Sequence, residues 1–206
     1  MSGARCRRKI AEGSLAAALM ILSGPQPACG TDLEALKKKA ELCVACHGPD
    51  GNSANPVIPS IAGQPKQFIT TQLVMFREGL RKDAAMSPQA ANLSNAEIDD
   101  FGTYFSARTL TAAGHGSVPD KAASGRSLVE RFKCVQCHGP TLLGQQHIPR
   151  LAGQQAEYLR VQLRGFKAST RFDMDGNMTS AAQPLSAADI ETLADYLAGL
   201  QQGGSP

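Results

Sequence analysis

The chain has 206 residues, 42% hydrophobic and 19% charged, which excludes a disordered polymer and leaves room for one large domain or two small ones. Lys and Arg total 21 against 18 Asp and Glu, but residues 1–30 hold four of the basic groups and one acidic group, so the remainder carries 17 of each. A balanced mature chain gives no support to nucleic-acid binding, and 5% aromatics with no Trp is thin for two cores built from side chains alone.

The N-terminus reads as an export signal. Arg5, Arg7, Arg8 and Lys9 form a basic region ahead of the short apolar run Ser14 to Leu22. That run falls well below the roughly 20 residues a membrane-spanning helix needs. Ala28-Cys29-Gly30 supplies a small-residue cleavage pattern, which places cleavage after Gly30 and the mature protein in the periplasm. An uncleaved anchor and lipidation at Cys29 are the alternatives; contact with a membrane is expected to be peripheral only, or through such an N-terminus. No other stretch is apolar enough to cross one.

The remainder is an internal duplication. Cys43-Val44-Ala45-Cys46-His47-Gly48-Pro49 recurs 91 residues later as Cys134-Val135-Gln136-Cys137-His138-Gly139-Pro140. Ile58-Pro59-Ser60-Ile61-Ala62-Gly63-Gln64 recurs 90 residues on as Ile148-Pro149-Arg150-Leu151-Ala152-Gly153-Gln154. Gln72-Leu73 and Phe76 match Gln162-Leu163 and Phe166, and Met86 and Leu93-Ser94 match Met178 and Leu185-Ser186. The expected organisation is a signal over 1–30, a first domain over 31–110, a linker over 111–120 and a second domain over 121–206. The linker lacks apolar periodicity and carries Gly, Thr, Ser and Pro.

The predicted elements are helical throughout. Residues 32–45 read as a helix running into the first Cys pair, and 123–136 as its counterpart. Pro65 opens a helix through Gly79, repeated over 155–167 without the Pro. Ser94-x-x-Glu97 is a capping box for a helix reaching Arg108, with Ile98, Phe101, Tyr104 and Phe105 at helical spacing. Ser186-x-x-Asp189 opens the matching helix, with Ile190, Leu193, Tyr196 and Leu197. No segment alternates with period two, so the fold class is all-α.

Cys-x-x-Cys-His is the attachment pattern of c-type haem. Two thiols three residues apart on a helical turn reach the two vinyl groups of one haem, and the adjacent His supplies a nitrogen to the iron. A zinc site would space its Cys pairs by 15–20 residues, and a redox dithiol would sit in a βαβ setting. Cys43, Cys46, Cys134 and Cys137 are therefore expected to hold two covalently attached haem c groups, with His47 and His138 on the irons. Glycine at 48 and 139 has no side chain to collide with a porphyrin edge.

The sixth ligand decides whether such a haem reacts or only passes electrons. Met86 and Met178 lie 39 and 40 residues after their His, each in a stretch read as non-helical, eight residues before the last helix. A thioether ligand favours ferrous iron; filling the core is the competing role. Met75 reads as core and Met174 has no partner in the first copy. His115 lies in the linker, and His147 aligns with Val57; a surface position is expected for both, with a place beside a haem propionate or on the iron as the alternatives for His147.

These features resemble cytochrome c4, a dihaem family of two class I cytochrome c domains. The resemblance covers the whole mature chain through CVACHGPDGN, IPSIAGQ, the Met86 segment, LSNAEIDDFGTYFS and their second-half counterparts. It implies low-spin His/Met ligation and haems that exchange electrons. It also implies carbonyls of Pro59 and Pro149 accepting a hydrogen bond from the axial His47 and His138, and electrons passing from a quinol-oxidising complex toward a membrane terminal oxidase. A dihaem electron-transfer subunit of an oxidoreductase complex, as in flavocytochrome c, shares the same motifs. A dihaem peroxidase needs an iron without a fixed sixth ligand, which the paired Met86 and Met178 oppose. The expected protein is an electron carrier without substrate chemistry of its own.

Overall fold

The computed structural model describes residues 33–111 and 119–200; the expected signal, Cys29 and His115 fall outside them. Residues 31–206 cluster as one compact unit. In the first half, α1 (Leu33–His47) is followed by a short 3₁₀ turn (Pro49–Gly51), α2 (Lys66–Arg77), α3 (Met86–Ala90) and α4 (Asn95–Ser106). In the second, α5 (Pro119–Arg131), α6 (Cys134–His138), α7 (Ala156–Lys167), α8 (Asn177–Ala182) and α9 (Ala187–Gly199) follow. Among the described residues the only β pairing is an isolated bridge between Gln145 and Ile148.

The last helix of each half is the packing centre. Helices α1 and α2 pack on α4, as α5 and α7 pack on α9. Both expected capping boxes form. Ser94 Oγ accepts from the Glu97 N–H at 3.2 Å while Glu97 returns a bond to the Ser94 N–H at 3.0 Å. Ser186 and Asp189 repeat this at 3.1 and 2.8 Å. The apolar stripes read from the sequence are the buried faces: Ile98, Phe101, Tyr104 and Phe105 on α4, and Ile190, Leu193, Tyr196 and Leu197 on α9. Helix approach is close at two glycines. A Cβ on Gly102 would meet Thr70 Cγ2 at 2.6 Å, and one on Gly125 would meet Tyr196 Cβ at 2.3 Å.

Two expected elements differ. The helix read over 123–136 is broken: α5 ends at Arg131, and Lys133 takes a left-handed conformation (φ 56°) before α6 begins. The break brings Phe132 against the second core, whereas its first-half counterpart Glu41 is exposed and α1 runs on to His47 unbroken. The stretches around Met86 and Met178, read as non-helical, are short helices. An aspartate fixes each one. Asp83 Oδ1 accepts from the Ala85 and Met86 N–H groups at 2.9 Å, and Asp173 accepts from the Met178 N–H at 2.9 Å and the Thr179 N–H at 3.3 Å.

The halves meet along a buried seam with pseudo-two-fold symmetry, formed by the two Ile-Pro-x-x-Ala-Gly-Gln stretches. The Gln64 amide donates to the Arg150 carbonyl at 3.1 Å and accepts from the Arg150 N–H at 2.9 Å. Its counterpart Gln154 does the same to Ser60, at 2.9 and 2.8 Å. Equivalent side chains thus pair with equivalent main chains, as in an isologous contact. Further along, Arg81 donates to Gln72 in its own half and to Tyr158 and Gln162 in the other. Arg171 donates to Gln162.

Candidate haem-binding site

In both halves the Cys-x-x-Cys-His motif sits where a helix ends, so Cys and His emerge from one turn. Cys46 and Cys137 are exposed, Cys43 and Cys134 half-buried, and His47 and His138 buried. Burial raises the Cys43 and Cys134 thiols above their ordinary pKa. Gly48 and Gly139 end the motifs with φ of 78° and 82°, a region that glycine adopts without strain. A Cβ on Gly48 would also lie 2.0 Å from the Asn52 carbonyl oxygen. The chain therefore needs glycine at 48 for its own turn, apart from any contact with a porphyrin.

The imidazoles are held alike. His47 Nδ1 lies 2.8 Å from the Pro59 carbonyl oxygen, and His138 Nδ1 lies 2.8 Å from that of Pro149. A carbonyl only accepts, so Nδ1 carries the proton and Nε2 presents its lone pair. Burial lowers both imidazole pKa values, with the carbonyl bond opposing it, so each ring is held neutral near pH 7. A buried, neutral, oriented imidazole is the form that ligates a metal.

The proline loops are fixed by matching bonds. The N–H groups of Ile61 and Ala62 both reach the Gly51 carbonyl, at 2.8 and 3.0 Å. Those of Leu151 and Ala152 reach the Leu142 carbonyl at 2.8 and 3.2 Å. Gly63 and Gly153 then bond the C-terminal ends of α4 and α9 through Phe105 and Leu197, both at 2.9 Å. The last helix of each half thereby sets the height of the carbonyl that orients its His.

Met86 and Met178 are half-buried, and Met178 packs against the second core. Met75 is buried at 4% exposure, the core role expected of it, and Met174 is 71% exposed. His147 lies partly exposed, 3.6 Å from Asp175. Sequence reasoning missed Asp83 and Asp173, which pin the Met segments. They stand 90 residues apart, but two extra residues between Asp173 and Met178 hide the match. It also gave no role to Gln64, Gln154 or Arg150. The glutamines repeat within a quoted motif; Arg150 is a position where its two copies differ in charge, Ser60 in one and Arg in the other.

Paired thiols on one helical turn, a neighbouring neutral imidazole with a free Nε2 and an apolar core beside them fit a covalently attached haem, once in each half. An all-α chain with two such donor sets is a dihaem c-type cytochrome. The first half matches the family model for cytochrome c oxidase, cbb3-type, subunit III over residues 31–104, and the second matches the cytochrome c model over 122–201. Cytochrome c4 of Thiocapsa roseopersicina is 35% identical over 183 residues, covering 83% of this chain and 94% of that protein. The crystal structure of reduced recombinant cytochrome c4 from Pseudomonas stutzeri superposes with a TM-score of 0.76 at 31% identity, over 84% of this chain and all of that one. A thiosulfate dehydrogenase electron acceptor of Thiomonas intermedia is 34% identical over 173 residues, covering 78% of this chain and 79% of that protein.

The chain belongs to the cytochrome c4 family. It carries two covalently bound haem c groups and transfers electrons. Among the described residues no helix is long and apolar enough to cross a membrane.

Proposed function

We propose that the protein is a periplasmic single-electron carrier that receives electrons from a quinol-oxidising complex and passes them toward a membrane terminal oxidase. It performs no substrate chemistry of its own. Cys43 and Cys46 hold the first haem and Cys134 and Cys137 the second. His47 and Met86 would ligate the first iron, and His138 and Met178 the second. The observation that carries this reading is the doubled imidazole geometry: both rings are buried, neutral and oriented by a proline carbonyl at 2.8 Å. Support for the thioether ligands comes from the aspartates that cap the main chain at each Met in the same way. A haem closed by imidazole and thioether exchanges electrons without binding a substrate.

A second reading has its own support. The Thiomonas intermedia relative is named as the electron acceptor of thiosulfate dehydrogenase, so delivery of electrons from a periplasmic dehydrogenase fits the same fold. One experiment separates the two. Reduced protein is mixed with oxidase-containing membranes, and oxidised protein with a thiosulfate dehydrogenase and thiosulfate. Rapid oxidation by the membranes, with slow reduction in the second mixture, is expected. Rapid reduction by the dehydrogenase with no oxidation by the membranes would overturn the oxidase assignment.

A further inference from the structure

Leu42 is the most exposed large hydrophobic side chain among the described residues, at 78%. It lies on the side of α1 away from the buried Leu36, Ala40 and His47, directly before Cys43 and one turn before Cys46. Residues three and four apart share a helix face, so its neighbours are Lys38, Lys39, Ala45 and Cys46, all exposed. Lys39 reaches Glu97 at 3.4 Å, in a surface pair that leaves the lysine side chain 51% exposed. Glu41 stands one turn from Lys37, on another flank of the helix.

Single exposed leucines are ordinary; the placement of this one is not. Its stripe runs from two lysines to Cys46, the exposed member of the first Cys pair. The duplication does not repeat it. Lys133 stands in place of Leu42, and Glu130 in place of Lys39. Lys133 is left-handed and precedes α6, and Val129, the counterpart of Lys38, is buried. Beside equivalent Cys pairs, the two halves therefore offer a partner different chemistry.

We propose that Leu42, with Lys38 and Lys39, is the docking face of the first half for a redox protein that presents an apolar recess rimmed by carboxylates. This rests on the electron-carrier reading above. An apolar side chain seated in a recess and closed off from water holds such a contact, and charge at its rim sets how fast it forms. The two lysines select a rim of the opposite sign. A redox protein fits better than a lipid surface, because the stripe ends at an attachment thiol and offers one apolar side chain rather than the broad face of an interfacial helix. One electron passes at each contact, oxidising the donor and reducing the acceptor, and no bond forms between the proteins.

The test compares the mature holoprotein with Leu42→Glu, Lys38→Glu and, at the equivalent place in the second half, Lys133→Glu. Oxidation of reduced protein by oxidase-containing membranes, and reduction of oxidised protein by a thiosulfate dehydrogenase with thiosulfate, are followed across ionic strength. Oxidation by benzoquinone, small and uncharged, reports haem reactivity without docking. In whichever mixture the parent reacts rapidly, Leu42→Glu is expected to slow the reaction about tenfold and Lys38→Glu about threefold. Lys133→Glu and every benzoquinone rate should match the parent. Added salt should slow the parent, and slow Lys38→Glu less steeply. Unchanged rates in Leu42→Glu and Lys38→Glu overturn the proposal. Equal slowing in Lys133→Glu, or with benzoquinone, also overturns it, because the effect is then not confined to this contact. With both protein-partner rates unchanged, loss in Leu42→Glu of binding to phosphatidylglycerol vesicles, or of a parent dimer, assigns the face to a membrane or a second copy instead. If Leu42→Glu fails to load haem, Lys38→Glu decides by the same rates. A parent inert in both mixtures contradicts the carrier reading itself, and the docking face falls with it.

Discussion

His47 and His138 do their work because of what sits behind them. Each ring is buried, kept neutral and turned by a proline carbonyl, so Nε2 presents a lone pair rather than a proton. The main chain at the proposed thioether ligands Met86 and Met178 is capped by Asp83 and Asp173. Met86→Ala and Met178→Ala should therefore each open one iron. The expected result is one high-spin, carbon-monoxide-binding haem in each variant while the other stays low-spin, read from the visible spectrum. Asp173→Ala removes the acceptor for two N–H groups at the start of α8. Such caps contribute about 1 kcal/mol, so with the proposed ligation Met178 should leave the iron at a lower pH than in the parent during an alkaline titration. The Cys and His positions were readable in the sequence because covalent attachment fixes their spacing. Asp83 and Asp173 were not, because a two-residue length difference hides their match. Arg150 was not, because burial of a charge is a tertiary event with no sequence signature.

At the scale of elements, local rules carried far where they were strong. The Ser94 and Ser186 boxes combine a side-chain acceptor, a reciprocal carboxylate and an apolar stripe, and α4 and α9 formed where these placed them. Ser94→Ala and Ser186→Ala should each cost about 1 kcal/mol, measured by thermal unfolding of the holoprotein. The boxes also predict a pH dependence. The bonds to Ser94 and Ser186 hold the Glu97 and Asp189 carboxyls below their ordinary values of 4.5 and 3.8. A carboxylate depressed in the folded state stabilises fully above its unfolded pKa and loses that contribution as pH falls through the folded value. The penalty of Ser94→Ala should therefore be full at pH 6 and shrink well below pH 4.5; a penalty independent of pH would contradict the box. Local rules failed at the α5–α6 break and at the Met segments. Lys133 takes a left-handed turn at the point where Phe132 joins the second core, and the helices at Met86 and Met178 depend on carboxylates supplied from outside them. Periodicity over five or six residues carries no such information.

For the whole molecule, duplication set the two-fold plan and the seam made it one body. Two copies of one domain were plain from the repeated motifs, but the symmetric lock between Gln64 and Arg150, and between Gln154 and Ser60, needed both loops in place. Each glutamine satisfies one buried N–H and one buried carbonyl of the opposite half. Leaving such groups unpaired costs about 1–3 kcal/mol apiece. Gln154→Ala should thus lower stability by about 2 kcal/mol or more and separate the unfolding of the halves into two calorimetric transitions. A single unshifted transition would show that the seam does not couple them. The same symmetry gives both proposed haem ligands, His47 and His138, matching supports, and Arg150 opposite Ser60 is one place where the halves cease to match.

The most direct test of the account is a visible spectrum of the mature protein, oxidised and reduced, with carbon monoxide added to the reduced form. Two haems per chain, both low-spin, both with a sulfur-to-ferric-iron band and neither binding carbon monoxide, is the predicted result. A high-spin haem, or ready carbon monoxide binding at either iron, would contradict the Met86 or Met178 ligation and the carrier function built on it.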